Sequence, residues 1–146
     1  MKDEMKIEFM AMSENEAFAR MVISAFLVRC DPALSVMSEV RTAVSEAVTN
    51  AVVHAYQNPE SGRIIMRAWL DEEQIIVEVK DFGCGIDDVA QAMKPFFTTR
   101  REEERTGMGF SLMLSFMDKV RVESAPDKGT VVRMEKRLTD GECVHG

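Results

Sequence analysis

Glu46 and Asn50 stand four residues apart in a stretch of helical periodicity, so their side chains project side by side. An amide oxygen is a hard ligand suited to Mg²⁺, and a neighbouring carboxylate can take a proton from a hydroxyl or from water. A second group, Asp81-Phe82-Gly83-Cys84-Gly85, follows a run rich in β-branched residues. A carboxylate there, beside backbone left bare at Gly83 and Gly85, can accept a hydrogen bond from an exocyclic amine such as adenine's. A third, Thr106-Gly107-Met108-Gly109, opens a helical pattern at Phe110. Glycines before a helix let backbone amides approach a phosphate, and the helix dipole favours the anion. Lys94, Arg100, Arg101 and Arg105 precede that turn, interrupted by Glu102, Glu103 and Glu104.

Each group alone also has a plain structural reading. Glu-x-x-x-Asn fits a solvated helix face, Asp-x-Gly-x-Gly fits a strand-ending turn, and the charged stretch fits an irregular loop. The dinucleotide fingerprint is excluded, because Asp88 stands where its last glycine belongs, and no Gly-x-x-x-x-Gly-Lys loop occurs.

The elements that must position these groups are legible in outline. Lys6–Met10 alternates as a short strand, and Ser13-Glu14-Asn15-Glu16 has capping-box form ahead of a helix that Asp31-Pro32 closes. Met37, Val40, Val44, Ala47, Val48, Ala51, Val52 and Ala55 mark one face of a second helix, ended by Asn58-Pro59. Arg63–Leu70 and Gln74–Lys80 read as a hairpin around Asp71-Glu72-Glu73. Asp81 to Gly109 is a long, weakly patterned lid, which in a compact domain is a functional feature. A helix from Phe110 to Met117 and a hairpin of Val120–Ser124 with Thr130–Arg137 complete the pattern. This order predicts an α+β two-layer sandwich in one domain, 1–137, with helices on one face of a mainly antiparallel sheet and a disordered tail from Leu138.

Composition narrows the function. The chain has 146 residues, 46% of them hydrophobic, with 18 Lys and Arg against 25 Asp and Glu, a net charge of −7. So acidic a chain is unsuited to backbone-driven nucleic-acid binding, which needs clustered cations. It suits a basic partner protein. The longest apolar run, Met21 to Val28, is interrupted by Ser24 and falls far short of the ~20 residues of a membrane span. The three cysteines form no Cys-x-x-Cys pair, so neither a disulfide framework nor a zinc site is indicated. The expectation is a cytoplasmic protein without membrane contact.

In their order and spacing the three groups resemble the GHKL (Bergerat) ATP-binding family of gyrase, Hsp90, histidine kinases and MutL. Glu46-Ala47-Val48-Thr49-Asn50 resembles its N box, Asp81 to Ile86 the first glycine box, Thr106 to Phe110 the second, and Gly129-Thr130 the last glycine-box element. Ala55 departs from the pattern, because many members have glycine after the N-box histidine, here His54. With no dimerisation-helix pair, receiver or transducer region, the chain is similar to the serine-kinase branch, the anti-sigma factors of endospore-forming bacteria. Ser13 to Arg20, Val44 to Ala51, Phe97-Thr98-Thr99 and Glu104 to Phe110 carry that likeness.

The resemblance implies ATP and Mg²⁺ as cofactors, in a mixed, mainly antiparallel sheet. It assigns Asn50 to the metal, Glu46 to the general base, and Asp81 with Thr130 to adenine, with Gly83 and Gly85 permitting close approach. Thr98 and Thr99 would line the nucleotide, Arg105 would touch the terminal phosphate, and Gly107, Met108 and Gly109 would offer amides to the phosphate chain. It implies a serine on an anti-anti-sigma protein as acceptor, a sporulation sigma factor of the sigma F type as captive, and a homodimer. Glu16 and Arg20 match its partner-binding surface, against the plainer reading of a solvated ion pair one helical turn long. Two alternatives remain open: a binding module that uses ATP only to set its conformation, and a detached histidine-kinase catalytic domain. Glu46 argues against the first. The second lacks a helix bearing a phosphoacceptor histidine.

Overall fold

The computed structural model describes residues 2–55, 62–83, 110–125 and 127–138, with the side chains of His54 and Ala55 excepted. Strand β1 (Lys2–Met10) leads to helix α1 (Glu14–Leu27), a 3₁₀ turn (Val28–Cys30) and helix α2 (Leu34–Asn50), which runs into a π turn (Ala51–Ala55). Strands β2 (Arg63–Asp71) and β3 (Gln74–Asp81), helix α3 (Phe110–Phe116), and strands β4 (Lys119–Ala125) and β5 (Gly129–Arg137) follow. The sheet order is β1-β2-β3-β5-β4. Every pairing among the described residues is antiparallel, so no parallel pair appears in this α+β sheet.

Strict alternation makes the sheet two-faced. Ile64, Met66, Ala68 and Leu70 of β2, Ile75, Val77 and Val79 of β3, and Val132 and Met134 of β5 are all buried. They face Ile23 and Leu27 of α1, Val40, Val44 and Val48 of α2, and Phe110 and Met113 of α3 in one core cluster. Burying each such side chain contributes roughly 1.5–3 kcal/mol, so this shared floor fixes all three helices on one face.

The turns show their chemistry. In the β2–β3 hairpin, Asp71 Oδ1 accepts from the Glu73 and Gln74 N–H groups at 2.7 and 3.0 Å. Those two bonds hold the Asp71 carboxyl below the usual carboxylate range. At the β4–β5 turn, Asp127 and Gly129 adopt φ of 61° and 90°. Asp31, which ends the 3₁₀ turn before Pro32, sits at φ 49°.

Three expectations need correction. Ser13 does not cap α1: its backbone is already helical (φ −60°, ψ −30°) and its side chain makes no cap bond. Asn15 Nδ2 instead donates to the Met10 carbonyl at 2.7 Å, tying the helix start to β1. The α geometry of the second helix stops at Asn50, where the apolar periodicity had run on to Ala55. Leu138 belongs to the fold, because it is buried and its N–H donates to Glu73 O at 2.8 Å. The rest of the expected tail, 139–146, lies outside the described residues.

Candidate functional site

Helix α2 delivers the first pair. Val40, Ala43, Val44, Ala47 and Val48 pin it to the core. Asn50, its last residue, is only 9% exposed, and Glu46 is half-buried one turn earlier. This is not the solvated helix face that the spacing alone also allowed. Burial pushes the Glu46 carboxyl above the usual range, and the negative charge of Glu16 adds to the shift. A carboxylate made more basic in this way is better matched to general-base work near neutral pH. The π turn that follows Asn50 packs against β3. Such π turns often mark functional sites.

The sheet supplies the second pair. Asp81 ends β3, and Thr130 is its cross-strand partner on β5. Both face the core side and are buried, at 6% and 7% exposure. Burial raises the Asp81 carboxyl above its ordinary value, opposed by the backbone amides of Gly83 and Thr130. The Gly83 N–H donates to Asp81 Oδ1 at 2.9 Å, fixing the carboxylate's orientation. Among the described residues Asn50, Asp81 and Thr130 are the buried polar side chains, and all three were singled out by motif. Desolvating polar groups is costly unless partners compensate, so the burial of these three sets them apart from the apolar core around them.

Ser124 was missed by sequence reasoning. Its hydroxyl lies 3.0 Å from the Gly129 carbonyl and 2.8 Å from Thr130 Oγ1, its cross-strand neighbour's hydroxyl. With Ser124 donating to Gly129 O, the Thr130 hydroxyl is the donor to Ser124. The Thr130 oxygen then remains an acceptor toward the site. No motif marks Ser124; only the β4–β5 register brings it there.

Glu16 and Arg20 lie on α1 against α2. They form no ion pair with each other within 4 Å, so the solvated-pair reading is not what folds. Arg20 Nη1 reaches across to Ser45 Oγ at 3.2 Å, beside Glu46. Gly85, Thr98, Thr99, Arg105, Gly107, Met108 and Gly109 lie outside the described residues, as do the remaining lid cations. Among the described residues no group of three His, Cys, Asp or Glu side chains could hold a metal unaided. The buried Asn50 amide is nevertheless a hard oxygen donor of the kind Mg²⁺ accepts alongside phosphate oxygens. No helix of the described residues is long and apolar enough to cross a membrane.

A family described as "Histidine kinase-like ATPase domain" matches residues 9–136. The anti-sigma F factor of Caldanaerobacter subterraneus subsp. tengcongensis is 52% identical over 134 residues, 92% of this chain and 93% of that protein. The chain belongs to the anti-sigma F factor family. The Bacillus subtilis anti-sigma F factor shares 41% identity over 144 residues, 99% of each chain. In shape, the RsbU and RsbW domains of a Mycobacterium tuberculosis protein superpose with a TM-score of 0.66 at 19% identity, over 93% of this chain and 32% of that one. The anti-sigma F factor family thus carries, in this member, the α+β sandwich expected from the GHKL boxes.

Proposed function

We propose that this protein captures a sporulation sigma factor of the sigma F type and uses Mg-ATP to phosphorylate an anti-anti-sigma protein on serine, as a cytoplasmic homodimer. The observation that supports this reading best is the half-buried Glu46 one turn before the buried Asn50. A module that used ATP only as a conformational wedge would need no desolvated carboxylate beside its metal ligand.

In this reading Asp81 accepts from the adenine amine, with the Thr130 oxygen as a second acceptor. Asn50 would hold Mg²⁺, whose charge would offset that of the phosphates. Glu46 takes the proton of the acceptor serine as that oxygen bonds to the terminal phosphorus and the bond to ADP breaks. The protein's own contribution is placement and a dry carboxylate, as phosphoryl transfer requires. Arg20, braced on Ser45, and Glu16 would hold either partner beside that base. Arg105, Thr98, Thr99 and the Gly107-Met108-Gly109 turn would complete the phosphate contacts, with Gly83 and Gly85 flanking the base.

Incubation with ATP labelled on the terminal phosphate, Mg²⁺ and an anti-anti-sigma protein tests the reading. Label on one serine of that protein is expected, and label lost when Mg²⁺ is chelated. Label on histidine, or none while the sigma factor is still captured, would overturn the kinase assignment.

A further inference from the structure

Strand β5 carries a charge where its alternation calls for an apolar side chain. Thr130, Val132 and Met134 face the helices and are buried, and Lys136 is the next residue on that face. Its side chain is only 14% exposed, whereas every other lysine among the described residues is exposed. The ammonium has two partners. It donates to the carbonyl of Phe116, the last residue of α3, at 2.6 Å, and it lies 2.9 Å from Glu39 Oε1 of α2. Helix α3 has no basic residue in its own last turn. Lys136 therefore supplies both a donor for an end carbonyl and the cation that the helix dipole favours there.

Stability alone does not call for this charge. The exit of α3 is already stitched to β5 on both sides of Lys136. The Asp118 N–H donates to Glu135 O at 2.8 Å, and the Arg137 N–H donates to Asp118 Oδ2 at 2.6 Å. Phe110 and Met113 hold α3 in the core. An apolar side chain at 136 would extend the buried row, and replacing a largely buried ion pair in this way is often neutral or stabilising. What an apolar residue would not replace is the polar tie between the α3 exit and Glu39 of α2. That tie lies at one end of both helices. Glu39 is eleven residues before Asn50, about 16 Å along α2 at ~1.5 Å each. Phe116 is at the opposite end of α3 from Phe110, which follows Gly107-Met108-Gly109 in the chain.

We infer that Lys136 is a positioning residue for the nucleotide site: it locks the register of α3 against α2, and with it the second glycine box against Asn50. This rests on the reading in which Gly107-Met108-Gly109 meets the phosphates and Asn50 meets the metal. Apolar contacts between helices are non-directional and tolerate small sliding and rotation. Charge-assisted bonds from one ammonium to a fixed carbonyl and a carboxylate do not. Asp81 and Thr130, the groups assigned to adenine, lie on the sheet as cross-strand partners and do not depend on this register. Release of the tie therefore disturbs the phosphate end of the site and spares the adenine end.

The full chain is compared with Lys136→Met, Lys136→Arg, Glu39→Ala and the pair Lys136→Met with Glu39→Ala. Lys136→Met should melt within about 4 °C of the parent. In calorimetry it should bind Mg-ATP about tenfold or more weakly, with adenosine affinity unchanged. Its phosphoserine rate at saturating ATP should fall by a similar factor, while Lys136→Arg, which keeps the cation, retains both. Glu39→Ala, at a part-exposed position, should reproduce the loss, and the pair should lose no more than either single change. Parental ATP affinity in the single variants would overturn the assignment, as would equal losses for ATP and adenosine or losses that multiply in the pair. If Lys136→Met fails to fold, Glu39→Ala decides by the same ATP and adenosine comparison. If the parent itself makes no phosphoserine, the kinase reading falls, and that comparison still decides the role of Lys136.

Discussion

A β-carbon at Gly129 would lie 2.2 Å from the Asp81 carbonyl oxygen and 2.9 Å from the Phe82 Cα. The β4–β5 turn therefore presses bare backbone against the end of β3, the strand end that carries the buried carboxylate. Gly129 also sits at φ 90°, where other residues are strained. Gly129→Ala should destabilise the protein by about 1–3 kcal/mol and displace Asp81, weakening ATP as well. Urea unfolding and calorimetry on the same variant check both effects; parental stability would mean that the turn yields freely.

Asp81→Asn separates stability from binding. Burial holds the Asp81 carboxyl above its ordinary value, so over an interval of pH the native state keeps a proton that the unfolded chain has released. That group's contribution is therefore fully present below the unfolded value and is lost as pH rises through the folded one. The variant escapes this loss and can keep the Gly83 bond through its amide oxygen. Its stability relative to the parent should rise from pH 4 to pH 7, while ATP weakens by about tenfold or more for the lost charged acceptor. Urea midpoints at the two pH values, with calorimetry at pH 7, measure this.

How much of this was legible beforehand depends on whether a residue acts locally. The β2–β3 hairpin was readable because period-two alternation and Asp71-Glu72-Glu73 are local signals, and the observed strands differ from the reading by one residue at their ends. Motif spacing marked Asn50 and Asp81, and the family resemblance added Thr130, but neither showed that they are the buried polar side chains among the described residues, since burial is set by the packing of the folded chain. Ser124 carries no motif and works only through register. The strand expected from Lys6 begins at Lys2 instead, and the charged residues of that extension suit an edge strand that must not pair further. Ser13 failed as a cap because the helical backbone begins one residue before the box expects.

Asn50→Ala should abolish the Mg²⁺ dependence of ATP binding. The amide is buried where α2 gives way to the π turn, so the variant removes an oxygen ligand with little change of surface. Calorimetry with ATP, with and without Mg²⁺, reads the difference. Affinity and metal dependence equal to the parent's would show that Asn50 is structural.

The central claim is that Glu46 acts as the base, and one measurement addresses it directly: the single-turnover rate of phosphoserine formation on an anti-anti-sigma protein for the parent and for Glu46→Gln. Burial and Glu16 raise this carboxyl, so the parental rate should climb with pH through a value above the usual carboxylate range. Glu46→Gln should lose that climb and about 10²–10⁴-fold in rate, the usual worth of a general base, while ATP affinity and sigma-factor capture persist. A variant that phosphorylates at the parental rate with the parental pH profile would contradict the account.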